Sequence, residues 1–125
     1  MRKVFILDDY RNIQRAFDDA GIKRESDDFI CLARPFRSMG APGANCNFDT
    51  PIDIITSNTK FDIWILDNDL GTDTCDNPVE GYRFLVMMID KYPDLVADTV
   101  VSCSANMARR IGINEYHAGW MKYKD

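Results

Sequence analysis

The segment FDIWILDNDLG, Phe61 to Gly71, constrains the fold of this chain more than any other. Ile63, Trp64, Ile65 and Leu66 form an apolar run that stops abruptly at Asp67, Asn68 and Asp69, before Leu70 and Gly71. Bulky apolar residues without alternation, ending in carboxylates, read as a strand buried on both faces that delivers acids to a sheet edge. The N-terminus repeats the arrangement, with Val4, Phe5, Ile6 and Leu7 leading into Asp8 and Asp9. Neighbouring parallel strands that end this way place their acids side by side. Ligands of open α/β sheets bind outside the carboxyl ends of the strands, so an acidic pocket built from Asp8, Asp9, Asp67 and Asp69 is the expected site.

The remaining chain supplies the helices such a sheet needs. The spacing predicts a first strand over Lys3 to Leu7 and a helix over Asn12 to Ala20, capped by Asp9 and stopped by Gly21. Strands follow over Phe29 to Ala33, Asp62 to Asp67 and Thr99 to Cys103. Residues 34 to 50 read as one long loop with two prolines and two glycines, and Pro51 to Asn58 as a short helix. Gly71 to Glu80 reads as a second polar loop. Gly81 to Tyr92 reads as an amphipathic helix ended by Pro93. Ser104 or Asn106 caps a further helix, and beyond Gly112 helix and short strand stay undivided, with a strand at Trp120 to Tyr123 as one option. Strand–helix alternation gives an α/β domain with a parallel sheet covered on both faces.

Length and charge bound the function. A chain of 125 residues is one domain, 1–125, with room for a full core. No apolar run approaches the roughly 20 residues of a membrane span, and the basic start Met1-Arg2-Lys3 leads into too short a run for a signal peptide. The expectation is a cytoplasmic protein. A net charge of −5 argues against long nucleic acid as a partner, while leaving room for a single phosphate held by an arginine or two. The cysteines Cys31, Cys46, Cys75 and Cys103 lack paired metal spacing, so reduced thiols are the first reading and a scattered zinc site the lesser one.

The candidate chemistry follows from residue types. Clustered carboxylates repel unless a cation, a shared proton or an arginine intervenes; an all-oxygen edge suits Mg²⁺, which takes one or two carboxylates with water and a phosphate oxygen. Single acids after strands can simply cap helices, but the Asp-Asp and Asp-x-Asp pairs together favour a site. Ser102, Ser104 and Asn106 at a helix start offer phosphate donors, and Arg11, Arg109 and Arg110 offer guanidinium forks that could equally be solvated surface. The single histidine, His117, reads as incidental more readily than catalytic.

These residues resemble the response-regulator receiver domain, in the acid pair after strand one, the Asp after strand three, the glycine opening GYRFL, and the hydroxyl residue in SCSAN. The resemblance implies a receiver-like (flavodoxin-like), doubly wound parallel sheet of four or five strands with helices on both faces. It places Asp67 on the phosphate-accepting aspartate, Asp8 and Asp9 on the metal-binding pair, and Ser104 or Ser102 on the phosphate-contacting hydroxyl. The receiver's lysine after strand five has no secure counterpart, Lys122 and Lys124 lying near the chain end. A closer resemblance is to the cyclic-phosphate-processing receiver-like family, through LDDYR (Leu7 to Arg11), LDNDLG (Leu66 to Gly71) and CSAN (Cys103 to Asn106). Asn68 and Cys103 replace the two histidines of that pattern.

Three functions therefore compete. The first is a phosphoesterase-like enzyme that processes or binds cyclic phosphate ends of RNA or nucleotides. In it Asp8, Asp67 and Asp69 are catalytic, Arg11, Ser104 and Asn106 bind phosphate, and Asp8, Asp9 and Asp67 hold Mg²⁺. The second is an inactive receiver-like module that docks a protein partner, favoured by the lost histidines. The third is a switch phosphorylated at Asp67, disfavoured by the unmatched lysine.

Overall fold

The computed structural model describes residues 2–7, 18, 29–33, 48–72, 78–104 and 106–124, with the backbone alone described at 29–33, 49–50, 71–72 and 78. Strands β1 (Lys3–Leu7), β2 (Phe29–Ala33), β3 (Ile63–Leu66) and β6 (Thr99–Ser102) form a parallel sheet in the order β2-β1-β3-β6. Between β3 and β6 lie two short strands, β4 (Asp69–Thr72) and β5 (Pro78–Glu80), paired antiparallel as a separate ribbon. The helices are α1 (Asp49–Thr56), α2 (Gly81–Lys91) and α3 (Met107–Tyr123), with a 3₁₀ turn at Pro93–Leu95. The result is an α/β fold around a parallel sheet.

The central strands are apolar throughout because water reaches neither face. Val4 to Leu7 and Trp64 to Leu66 are fully buried, as strands of a covered parallel sheet require. Phe84 of α2 joins the sheet to its cover. Its ring lies 6.1 Å from Phe5, 5.8 Å from Trp64 and 5.2 Å from Phe48, within the range of favourable aromatic pairing. Leu85 and Met88 complete the buried stripe of α2. In α3 the stripe is narrow, with Ile113 and His117 buried and Trp120 partly so. Trp64 Nε1 is buried and finds no partner among the described residues.

The amino edge of the sheet is fastened by polar contacts. Asp62 accepts from the Lys3 amide at 2.8 Å, and Lys3 Nζ donates to the Thr59 carbonyl at 3.0 Å. His117 Nε2 bonds the Ala97 carbonyl at 2.9 Å, tying α3 to the residues before β6. At the other end of β6, the Ser102 amide donates to Asn114 Oδ1 of α3 at 3.1 Å, so the helix satisfies a donor of this strand that β3 does not use.

One expectation is corrected, one open alternative is resolved and one helix shifts its bounds. The stretch 71–80 was expected to be loop, yet its two ends pair as β4 and β5; β-branched Thr72 and Val79 bracketing a polar run are the local signal. The segment after Gly112 is helix, α3 running unbroken to Tyr123, and no strand forms at Trp120 to Tyr123. The helix expected at Pro51 begins at Asp49, and Pro51 sits in its first turn. The helix expected at 12–20, but for Asp18, and most of the loop expected at 34–50 lie outside the described residues. No helix among the described residues is long and apolar enough to cross a membrane.

Candidate functional site

The strand order makes the site's address. From β1 the chain reaches β2 on one side and β3 on the other, so the direction of winding reverses between β1 and β3. That point, at the carboxyl ends, is where open α/β sheets hold ligands. Leu7, Leu66 and Ser102 stand level across the three strands. The Asp67 amide donates to the Leu7 carbonyl and the Cys103 amide to the Leu66 carbonyl, at 2.9 and 3.1 Å, so β1, β3 and β6 end at one edge, where the residues after β3 and β6 emerge.

Beyond this edge lies a cavity of about 280 Å³ lined by Asn68, Asp69, Val79, Glu80, Ser104, Asn106 and Arg109. Gly81 fixes the junction of β3 with α2 beside it. A Cβ there would collide with the carbonyl oxygen of Asp67, and the Gly81 amide donates to the Asn68 carbonyl at 2.9 Å. Only glycine lets α2 begin this close to the strand end. Asn68 then caps α2 from outside the helix: its Oδ1 accepts from the Tyr82 amide at 3.2 Å, and its Nδ2 donates to Glu80 Oε2 at 3.5 Å. The side chain of Glu80, the residue at the helix cap position, makes no capping bond of its own.

The opposite wall is a relay of turns. Ser102 Oγ accepts from the Ser104 amide at 3.3 Å, Ser104 Oγ from the Asn106 amide at 3.2 Å, and Asn106 Oδ1 from the Arg109 amide at 3.2 Å. Each side chain accepts from a backbone donor ahead of it. These bonds position the Ser104 Oγ and the Asn106 amide, and leave the hydroxyl and amide hydrogens uncommitted among the described residues. Arg109 adds a guanidinium on the first turn of α3, where the helix dipole is positive. Ser104 is buried, while Asn106 and Arg109 are exposed. The wall presents hydroxyl, amide and guanidinium donors together, a set that suits phosphate oxygens.

Of the residues expected at the site, Asp69, Ser104 and Asn106 line this cavity. Asp67 is half-buried at the end of β3 and does not line it. Asp8, Asp9 and Arg11 lie outside the described residues. Arg109 enters the cavity wall and Arg110 does not. Glu80 was not foreseen; the signal available was an acid directly before the glycine that opens a helix. Cys103 is buried and stands away from the lining. His117 sits at the amino edge, opposite the cavity, where burial pushes its pKa below the ordinary value.

The described residues do not by themselves complete a cation site: none of their His, Cys, Asp and Glu side chains gather in a group of three or more. Lys124, an alternative for the receiver lysine, donates to Asp98 Oδ1 at 3.5 Å and lies over the Trp120 ring. Asp98 directly precedes β6, so this lysine is at the amino edge.

No family model matches the sequence, and no curated protein does. Among solved structures the chain is similar to the response regulator TrrA of Thermotoga maritima, determined with Mg²⁺-BeF, at 16% identity over 94% of this chain and 81% of that one, with a TM-score of 0.56. It is also similar to the N-terminal domain of a response regulator/sensory box/GGDEF three-domain protein of Carboxydothermus hydrogenoformans, at 15% identity over 98% of both chains, with a TM-score of 0.43. The first of these likenesses establishes that the fold is receiver-like.

Proposed function

We propose that this chain is a receiver-like module that binds a phosphate-bearing ligand at the carboxyl edge of its sheet. The observation that carries the reading is the convergence of Ser104, Asn106 and Arg109 as donors on one cavity beside the end of β3. In the fuller form of this reading the sheet is doubly wound with helices on both faces, and Arg11 joins the phosphate wall. Mg²⁺ would be held by Asp8 and Asp9 with Asp67, a site only Asp67 of which is described, so the phosphate reading stands on the donor wall alone.

The ligand class is proposed from the resemblance of LDDYR, LDNDLG and CSAN to the cyclic-phosphate-processing pattern: a nucleotide or RNA end bearing a cyclic or terminal phosphate. Binding is favoured over turnover. Asn68, in a histidine position of that pattern, has its amide occupied in capping α2, and Cys103, in the other, does not line the cavity. General acid–base catalysis needs a titratable group within reach of the transferred proton; the histidine positions of the pattern supply none here, and the acids that line the cavity are Asp69 and Glu80. A receiver-like module docking a protein partner through this edge is the second reading, supported by the same absence of histidine.

The test is a calorimetric titration with inorganic phosphate and a nucleoside 2′,3′-cyclic phosphate, alongside a hydrolysis assay. We expect binding that Asn106→Ala weakens about ten- to a hundredfold, the worth of one hydrogen bond to a charged group, and slow or absent hydrolysis. Fast hydrolysis abolished by Asp67→Asn would replace binding with catalysis. Absence of binding to either compound would leave the protein-docking reading.

A further inference from the structure

The cavity that offers donors to an anion already contains one. Glu80 Oε2 lies 3.7 Å from Arg109 Nη1 and 3.5 Å from Asn68 Nδ2, while Oε1 lies 3.4 Å from Arg83 Nε. The Glu80 side chain is 18% exposed, against 58% for Arg109. An acid is therefore held inward from β5 against the arginine of the phosphate wall, with the amide of Asn68 and the guanidinium of Arg83 fixing it there. Resting on the phosphate-binding reading above, we infer that Glu80 is an internal competitor for Arg109: it pairs with the guanidinium in the free protein and opposes any anion that draws on the same charge.

The chemistry sets a direction. A carboxylate and a phosphate oxygen draw on the same guanidinium charge, and at 3.7 Å Glu80 pairs with Arg109 as an ion pair rather than a direct hydrogen bond. A phosphate entering the cavity meets the repulsion of Glu80 and competes with it for the charge and orientation of Arg109. Glu80 retains Arg83 as an alternative partner, so displacement leaves it paired. The acid would discriminate against weakly bound anions and admit those that also engage Ser104 and Asn106. It is a specificity-determining residue on this account.

The experiment compares the whole chain with Glu80→Gln and Glu80→Asp, using inorganic phosphate as the probe. Dissociation constants come from NMR titration, and hydrogen exchange of the Arg109 guanidinium is read without ligand. Gln keeps the size of the side chain and an oxygen for Asn68, so the fold is preserved. We expect Glu80→Gln to tighten phosphate binding about two- to fivefold, the upper part of the range an exposed ion pair carries. Glu80→Asp should fall between, and ligand-free Arg109 exchange should be faster in Glu80→Gln than in the parent. Equal affinity in parent and Glu80→Gln overturns the competitor and leaves the phosphate site standing. Tighter binding with unchanged Arg109 exchange also overturns it, because that is the signature of removing a negative charge in general. No binding by any of the proteins overturns the phosphate reading and the competitor with it.

Discussion

Asn68 shows how one side chain can be structural and still shape a site. It is buried, with 5% of its surface exposed, and both ends of its amide are engaged between β3 and the start of α2. Asn68→Ala removes a cap and leaves the Tyr82 amide without its acceptor, so a loss of about 1–2 kcal/mol is expected by urea denaturation. An unchanged midpoint would show that water replaces the amide. His117 makes a second residue-scale prediction. Burial lowers its pKa in the folded protein, opposed by the Ala97 carbonyl and Asp98 and reinforced by Lys124. The unfolded chain then binds the proton more readily. Stability contributed by the neutral ring is complete above the unfolded value of about 6.5 and is lost as pH falls through that value toward the lower folded one. No other histidine is present, so denaturation midpoints should decline between about pH 7.5 and 5.5, and His117→Gln should flatten the decline. A parent midpoint that does not move over this range would refute the buried neutral ring.

At the scale of elements, the junction of β3 with α2 is the least forgiving place in the fold. Gly81→Ala drives a methyl into the Asp67 carbonyl, and backbone on both sides must shift. The expected cost is about 3 kcal/mol, at the upper end of overpacking, measured as a fall in the chemical denaturation midpoint. Gly112 in α3 is the contrast: nothing lies within 4 Å of an added Cβ. Gly112→Ala should stabilise by about 0.5–1 kcal/mol, since alanine loses less entropy in a helix. The same comparison explains what was legible in the sequence. β1, β3, β6 and α2 were readable to within a residue or so because long apolar runs and an apolar stripe announce them. The length of α3 was not, because its buried stripe is only Ile113, His117 and Trp120, and its two glycines look like stops though they sit at open positions. The β4–β5 ribbon was not, because strands of three or four residues carry too little pattern to outweigh a run of Asp, Thr and Asn.

At the scale of the molecule, the two edges of the sheet carry different charged groups. The carboxyl edge carries Asp67 and the cavity with Ser104, Asn106 and Arg109, and sequence patterns at strand ends pointed there. Glu80 and the capping by Asn68 depend on how the ribbon folds against α2, which no local pattern encodes. The lysines Lys60 and Lys124 meet at Asp98 on the amino edge, where the hydrogen bond from Lys60, foremost, holds the Asp98 carboxyl below the usual range. This placement bears on the choice between the proposed binding module and a switch. Phosphoryl transfer to Asp67 builds charge on the transferring group and needs a preorganised cation beside it. Among the described residues the cation lining the cavity is Arg109, and Glu80 engages it. Incubation with acetyl phosphate and Mg²⁺ should therefore give little acylphosphate, read as intact mass, and Lys124→Ala should change neither that yield nor phosphate affinity. Stoichiometric labelling lost in Asp67→Asn would reverse the ranking and make the chain a phosphoacceptor. Labelling lost in Lys124→Ala would further show that the chain end reaches the carboxyl edge during transfer, against its position beside Asp98. The expected outcome is an Asp67 that acetyl phosphate leaves unlabelled beside donors that hold free phosphate, which is the outcome the proposed binding module requires and a phosphoacceptor switch does not.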